Sequence, residues 1–150
     1  MKNILKLFLF SIIISVIFTG CNHDDVEWTT KEASFKLNDT SLGAENVLYK
    51  TMSNNPFTLV WESIGSGEYK VELSSTSDFT KKVELGKSSE NSFTTTIGNL
   101  NAKLLQLNFS PFTSQLVYIR ITKDSEISNT ISFGVKVYPV DGPIITAPTN

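Results

Sequence analysis

The residues best suited to chemistry stand together near the start of the chain, in the stretch IFTGCNHDD, residues 17–25. This stretch contains the only cysteine, Cys21, and the only histidine, His23. A thiol that an adjacent imidazole deprotonates is a nucleophile, provided that a scaffold fixes the geometry of the pair. The neighbouring residues NHDD are polar and cannot form a core, so we expect neither a catalytic pair here nor a buried structural thiol.

The residues before Cys21 explain its position better. The chain starts with the basic, acid-free stretch MKNILK and continues with an apolar block, residues 7–18, that only two serines interrupt. This block is too short for a membrane-spanning helix, which needs roughly twenty apolar residues, but it suits the core of a signal peptide. The following FTGC resembles the lipobox of bacterial lipoproteins, although Phe18 stands where leucine is commonest. We therefore predict a lipoprotein signal peptide at residues 1–20 and lipidation of Cys21, with a free or intermolecularly bridged thiol as the alternative.

Lipidation would attach the protein to a membrane without a spanning segment. Each buried acyl methylene contributes about 0.8 kcal/mol, and stable attachment takes more than one chain; bacterial lipoproteins carry a diacylglyceryl group and usually a third acyl chain such as palmitate. Residues 21–32 are mostly polar, which predicts a flexible tether. Asp24 and Asp25 are either ordinary solvated tether residues or an export signal, since acids soon after the cysteine resemble the surface-export signal of Bacteroidota lipoproteins. The second interpretation predicts an outer-membrane protein that faces the cell exterior.

The rest of the chain offers little for catalysis, metal binding or cofactor binding. One histidine cannot build a serine triad or a zinc site ligated by histidines. Asp124 and Glu126 lie in a predicted turn, without the apolar surroundings that raise the pKa of a general acid. The GSG sequence at residues 65–67 predicts a hairpin turn and not a phosphate-binding loop. We therefore expect no enzyme, no metal and no cofactor.

Length and charge narrow the class of protein further. Without residues 1–20 and their two lysines, 11 basic and 15 acidic residues remain, a net charge of −4. An acidic domain without a basic cluster is a poor ligand for a phosphate backbone, so we expect no nucleic acid partner. A chain of this size can bury roughly two thirds of its unfolded surface in one core, so the fold requires no disulfide or metal.

Apolar residues alternate with polar ones from about residue 33 onward, in short runs separated by turn residues. This period of two is typical of strands that bury one face. About seven such runs predict an all-β fold, an immunoglobulin-like or fibronectin-III-like antiparallel β-sandwich over residues 33–140, followed by a C-terminal tail or linker at 141–150. The exception, NAKLLQLNF at 101–109, predicts one short helix that bridges the two sheets, with Asn101 as its cap. The strand runs are SFKL, FTLVW, YKVEL, KKVEL, SFTTTI, LVYIRIT and ISFGVKV.

Aromatic side chains are the candidates for ligand contact, since sugar rings present apolar CH faces that stack on flat rings. Trp61 is in phase with the other apolar residues of its strand, which predicts a core position, and Tyr49 is a further platform candidate. Trp28 lies in the tether, and three interpretations of it remain. Its side chain packs on the domain, lies at the membrane interface or contacts a partner. Tyr118 and Arg120 share one strand face, which predicts a solvent-facing pair stacked by a cation–π contact. Trp28, Tyr118 and Arg120 are therefore the candidate ligand contacts.

With its strands in this order, the domain resembles the N-terminal domain of the SusE family, outer-membrane lipoproteins of Bacteroidota starch-utilisation systems. The most specific signals are the pair Leu100-Asn101, and the pair Ser128-Asn129 that leads into the last strand. The segments that carry the resemblance are FTLVW, EYKVELSSTSDFTKKVEL, NLNAKLLQLNF, VYIRIT and ISNTISFGVKVYPV.

The resemblance implies a surface lipoprotein that takes part in glycan capture, with a TonB-dependent transporter and glycan-binding lipoproteins as partners. Family members carry carbohydrate-binding modules after this domain, whereas this chain stops at Asn150, so the resemblance extends to the spacer domain only. The leading hypothesis is a non-catalytic, lipid-anchored spacer or interaction module of a glycan-uptake system. The alternatives are direct binding of a starch-like polysaccharide by the sandwich, and a structural or adhesin lipoprotein unrelated to glycans.

Overall fold

The structure is a computed structural model, and it describes residues 32–38, 43 and 45–140. Several predictions concern residues outside these ranges and remain predictions. They are the signal peptide at 1–20, lipidation of Cys21, export through Asp24 and Asp25, the role of Trp28, and the tail at 141–150.

The described part of the chain is built from eight strands, one α-helix and a 3-10 turn at Lys50–Met52. Most strands bury alternate residues, as the period of two predicts. In chain order the elements are β1 (Glu45–Val47), β2 (Pro56–Val60), β3 (Tyr69–Ser74), β4 (Lys82–Ser88), β5 (Ser92–Thr96), α1 (Ile97–Gln106), β6 (Ser114–Lys123), β7 (Glu126–Ile127) and β8 (Ile131–Lys136).

The strands form two sheets. The larger has the order β1-β8-β6-β3-β4, with β7 beside β6, and the smaller pairs β2 with β5. The second and fifth strands thus form one sheet, and the third, fourth, sixth and eighth strands belong to the other. This division is typical of an immunoglobulin-like sandwich, so the predicted fold class is confirmed. The sandwich is not antiparallel throughout as predicted, because β1 runs parallel to β8. A parallel pair needs a long connection, and nearly the whole domain lies between these two strands.

One hydrophobic core lies between the sheets and holds residues of both. Val117, Ile119 and Ile121 of β6 are fully buried, and Trp61 is 1 % exposed, so the predicted strand phases are confirmed. The ring of Phe93 in the small sheet lies where a Cβ atom at position 86 would be. Gly86 therefore allows the edge strand β4 and the small sheet to approach each other closely.

The helix begins earlier than the sequence predicted. It spans Ile97–Gln106 and starts directly after β5, with Thr96 as its N-cap. The Thr96 hydroxyl accepts a hydrogen bond from the Asn99 N–H at 3.1 Å, a standard N-cap contact. Asn101 is therefore not the cap but a buried residue inside the helix. The helix does connect a strand of the small sheet to one of the large sheet, as predicted.

The turn predicted at residues 65–67 is not a hairpin turn. The strands on either side, β2 and β3, belong to different sheets, so the connection crosses the sandwich. Gly65 and Gly67 have φ values of +102° and +136°, a region that favours glycine. The buried Lys123 side chain holds this connection, because its Nζ donates to the Gly65 carbonyl at 2.9 Å and to the Ile64 carbonyl at 3.3 Å.

Candidate functional site

The described chain enters and leaves the sandwich at opposite ends. At the near end, Phe35 forms a bridge with Ser128, whose N–H donates to the carbonyl of Ile121 at 2.9 Å. At the far end, the carbonyl of Val137 accepts from the N–H of Phe112 at 3.0 Å. The ten-residue strand β6 runs between the two ends and spans about 30 Å at the usual rise per residue.

An asparagine side chain holds the chain at the near end. The Oδ1 atom of Asn129 accepts from the Leu37 N–H at 2.6 Å, and its Nδ2 donates to the Leu37 carbonyl at 3.1 Å. The preceding Ser128 hydroxyl accepts from the Ile121 N–H at 2.8 Å. The amide of Asn129 thus makes the hydrogen bonds that a neighbouring strand would make. It pairs with both the N–H and the C=O of Leu37, which is 92 positions away in sequence.

A second asparagine does the same at the far end. The Nδ2 atom of Asn101 donates to the Tyr138 carbonyl, and the Tyr138 N–H donates to its Oδ1, both at 2.9 Å. Asn101 is 2 % exposed, so this pair of hydrogen bonds is formed in the interior. The sequence singled out both asparagines as family signals, and the structure gives each of them a role at one end of the domain.

An apolar groove of about 340 Å³ lies at the far end, where the chain leaves β8. Two lysines border it. The Nζ of Lys50 donates to the Val140 carbonyl at 3.5 Å, and the Nζ of Lys136 forms an ion pair with Glu45 at 2.8 Å. Its apolar and aromatic lining residues are Val47, Leu48, Tyr49, Phe112, Val137, Tyr138 and Pro139.

Phe112 is the most unusual residue of the groove. It has a φ of +64° and is 75 % exposed. It follows Pro111 in a turn in which the Thr113 N–H donates to the Ser110 carbonyl at 3.3 Å. The third position of such a proline-containing turn favours glycine, because L side chains are strained there. The backbone of Phe112 is strained, yet its ring remains mostly exposed, so burial of the ring does not offset the strain. Strain that packing does not offset points to a function of the ring at the surface.

The groove suits contact with an apolar surface better than recognition of a sugar. Sugar sites combine ring stacking with several polar groups that fix the hydroxyls. Here the polar groups near the rings are two tyrosine hydroxyls and two lysines that already have partners. The sequence predicted Tyr49 as a platform and missed Phe112 and Tyr138. A phenylalanine directly after a proline in a turn was the available signal for Phe112.

The candidate contacts Tyr118 and Arg120 lie on the outer face of the large sheet, away from the groove. The guanidinium of Arg120 is 4.0 Å from the centre of the Phe79 ring, so Phe79 takes the place predicted for Tyr118 in the cation–π contact. The Nε of Arg120 also donates to the Glu72 carboxylate at 2.8 Å. A ligand of Arg120 would therefore have to displace contacts that the side chain already makes.

Glu72 is the centre of this outer cluster. Its carboxylate accepts from Lys82 at 2.5 Å as well as from Arg120, and its side chain is 12 % exposed. Partial burial raises the pKa of Glu72, but the hydrogen bonds from Lys82 and Arg120 outweigh burial, so the pKa lies below its usual value. The carboxylate stays ionised at neutral pH and joins β3, β4 and β6.

Residues 32–38, 43 and 45–140 were also compared with the patterns of a metal site and of a spanning helix. They contain no group of three or more histidine, cysteine or acidic side chains that could hold a metal ion. None of the helices described is both long enough and apolar enough to span a bilayer.

Comparison with known proteins gives one family match. Residues 23–122 match the family model described as SusE outer membrane protein. No curated protein matches the sequence. Among solved structures, one titled "Structure of FN3tt mut" is similar at 12 % identity and a TM-score of 0.30, over 69 % of this chain and 89 % of that one. A likeness at this TM-score is too weak to support a conclusion about function.

Proposed function

The chain belongs to the SusE family of outer membrane proteins, and from that premise we propose that it is a non-catalytic, lipid-anchored module of a glycan-uptake system. In this proposal the sandwich holds a partner away from the membrane. The observation that carries it is that the described chain enters and leaves the sandwich at opposite ends, about 30 Å apart along β6. At each of these ends an asparagine side chain holds the backbone through a pair of hydrogen bonds, Asn129 on Leu37 and Asn101 on Tyr138.

Lipidation of Cys21 supplies the anchor in this proposal. The tether of residues 21–32 then leads from the acyl chains to the near end of the sandwich. Labelled fatty acid should be incorporated into the parent chain and not into a Cys21→Ser variant, which should also leave the membrane fraction. A variant that stays labelled and membrane-bound would show that Cys21 is not the anchor.

The groove at the far end supplies the interaction surface. An exposed aromatic ring held in a strained turn is typical of an interface anchor, since aromatic residues carry much of the binding energy of protein contacts. A TonB-dependent transporter or a glycan-binding lipoprotein of the same system fits this role. Co-purification of such a partner with the parent chain should weaken in a Phe112→Ala variant. Phe79→Leu, in the outer cluster around Glu72, is the control and should leave co-purification unchanged.

Direct glycan binding is the second candidate, because Tyr49, Phe112 and Tyr138 place three rings around one groove. Affinity electrophoresis against starch and other polysaccharides separates the two functions. We expect no retardation of the parent chain. Retardation by one glycan that disappears in both Tyr49→Ala and Phe112→Ala would replace the spacer proposal with a glycan-binding one.

A further inference from the structure

The hydrogen-bond register of the small sheet shows which way the backbone groups of β5 point. The Trp61 N–H donates to the Asn91 carbonyl at 3.0 Å, and the Ile97 N–H donates to the Asn55 carbonyl at 2.9 Å. Both pairs are odd-numbered, and hydrogen-bonded pairs alternate along an antiparallel ladder. Odd residues of β5 therefore face β2, while the even residues direct their N–H and C=O groups away from it. The even residues are Ser92, Thr94 and Thr96.

This outer edge of β5 is unpaired within residues 32–38, 43 and 45–140. The small sheet contains only β2 and β5, and no described hydrogen bond reaches the N–H groups of the three even residues. The Thr94 side chain is exposed on the outer face, where its hydroxyl lies 2.9 Å from that of Thr58. The strand thus presents a row of backbone donors and acceptors to solvent.

The edge of β5 also lacks the features that protect other sheet edges from pairing. Native edge strands carry charges, prolines or bulges, or are very short. The large sheet follows this rule, because its edge strand β4 carries Lys82, Glu84 and Lys87 beside a register shift, and its other edge strand β1 has only three residues. By contrast, β5 has the sequence SFTTT, without charge, proline or bulge.

We propose that the edge of β5 binds the same edge of a second copy of this chain, so that two small sheets join into one antiparallel sheet. The pairing is centred on Thr94. The Thr94 residues of the two copies exchange N–H···O bonds, and the Thr96 N–H of each copy donates to the Ser92 carbonyl of the other. The two-fold contact is isologous, with the same surface contributed by both copies.

A second copy fits this edge because the edge is complementary to itself. The N–H and C=O of Thr94, the Ser92 carbonyl and the Thr96 N–H lie so that the antiparallel register pairs them in both copies at once. The Thr96 carbonyl is the N-cap carbonyl of α1 and takes no part in this pairing. The edge carries no charge, so pairing with itself brings no like charges together. Phe93 and Thr95 face inward, so the joined sheet keeps its apolar side toward the cores.

Antiparallel pairing turns the two copies in opposite directions, with the near end of one beside the far end of the other. The tether of residues 21–32 can extend to about 40 Å, whereas the sandwich spans about 30 Å. Both copies can therefore be anchored in the same membrane. Pairing of this kind goes beyond the proposed function, because a monomeric spacer would serve that function equally well.

Cysteine cross-linking tests the register in the full-length chain at the membrane. A Thr94→Cys variant treated with a short thiol-to-thiol cross-linker should give a covalent dimer in several-fold higher yield than Thr58→Cys. Thr58 is the matched control, since it lies on the same face beside Thr94 but on the inner strand. Ser92→Cys and Thr96→Cys should cross-link poorly as single variants and well as a double variant. The unsubstituted chain measures any background from Cys21.

Proline substitution gives a second, independent measurement. Thr94→Pro removes an outward N–H, which proline tolerates on an edge strand, so the melting temperature should change little. Two differently tagged full-length copies should then lose their co-precipitation. Thr58→Ala removes the same side-chain contact and should preserve it. Equal cross-linking at Thr94 and Thr58, or undiminished co-precipitation of the Thr94→Pro copies, would overturn the proposal and leave the anchor and spacer experiments unaffected.

Discussion

Trp61 combines nearly complete burial with an unpaired polar atom. It is 1 % exposed, and its Nε1 has no hydrogen-bond partner among the described residues. Its ring packs against Tyr69 with a centroid distance of 5.4 Å. Most of its contribution to stability therefore comes from burial and ring contact.

Replacing Trp61 with alanine should lower the free energy of unfolding by about 3–5 kcal/mol, because the ring leaves a cavity between the sheets. Trp61→Phe should cost clearly less, since it keeps much of the ring volume and removes the unpaired N–H. Denaturant unfolding measures both variants. If the alanine variant were as stable as the parent, the assignment of Trp61 to the core would be wrong.

The asparagine at the near end gives a prediction of the same kind for a polar residue. Asn129→Ala leaves both backbone groups of Leu37 without their partner, which should cost about 1–3 kcal/mol. Asn99→Ala is the control, since the Asn99 side chain donates only to the Thr95 hydroxyl near the surface. Equal effects of the two substitutions on the denaturation midpoint would argue against a special role for Asn129.

At the scale of the elements, Glu72 ties three strands of the large sheet together through Lys82 and Arg120. Its pKa is lowered in the folded protein, so ionisation of Glu72 stabilises the fold above its ordinary pKa of 4.5. That contribution is lost as the pH falls below 4.5 and through the lowered pKa.

The melting temperature of the parent should therefore drop more steeply as the pH falls below 4.5 than that of a Glu72→Gln variant. Asp78→Asn provides a comparison, because hydrogen bonds from Thr76 and Thr80 lower the pKa of Asp78 to about 2 and place its loss of stabilisation at lower pH. Parallel curves for the parent and Glu72→Gln would contradict the role of Glu72.

The elements also show what a single sequence can and cannot predict. Alternation placed Val117, Ile119 and Ile121 on the buried face because burial of alternate residues is a local property of a strand. The alternation does not indicate which other strand pairs with a given strand. The prediction of a hairpin at 65–67 was therefore wrong, since its glycines connect strands of different sheets. The helix start was missed because strand-like TTT runs directly into it, with Thr96 as both strand end and cap.

At the scale of the whole molecule, the candidate site was harder to predict than the fold. The groove takes Tyr49, Phe112 and Tyr138 from three segments that are far apart in sequence. No spacing rule connects them, because their proximity depends on how β1, β8 and the turn before β6 meet. Tyr49 could be named from its residue type alone. For Phe112 the sequence offers only its place directly after a proline, and its φ and its exposure are known from the structure alone.

The orientation of the whole molecule can be tested on cells. If Asp24 and Asp25 act as the export signal, protease added to intact cells should remove the parent chain from the surface. An Asp24→Asn, Asp25→Asn double variant should resist until the cells are lysed. Protection of the parent chain on intact cells, followed by digestion after lysis, would place the protein inside and contradict surface exposure.

The parallel pairing of β1 with β8 has a mechanical consequence for such a module. A pull on the chain between the near end and the far end acts on β8 from its C-terminal side. It acts on β1 from its N-terminal side once the contacts of residues 34–38 have broken. Because the two strands are parallel, from Glu45 beside Gly134 to Val47 beside Lys136, this force shears the ladder along its length. Its hydrogen bonds must then break together, whereas those of a hairpin pulled open at its ends break one after another. The β1–β8 ladder thus resists a pull along its strands better than a hairpin with the same number of hydrogen bonds would.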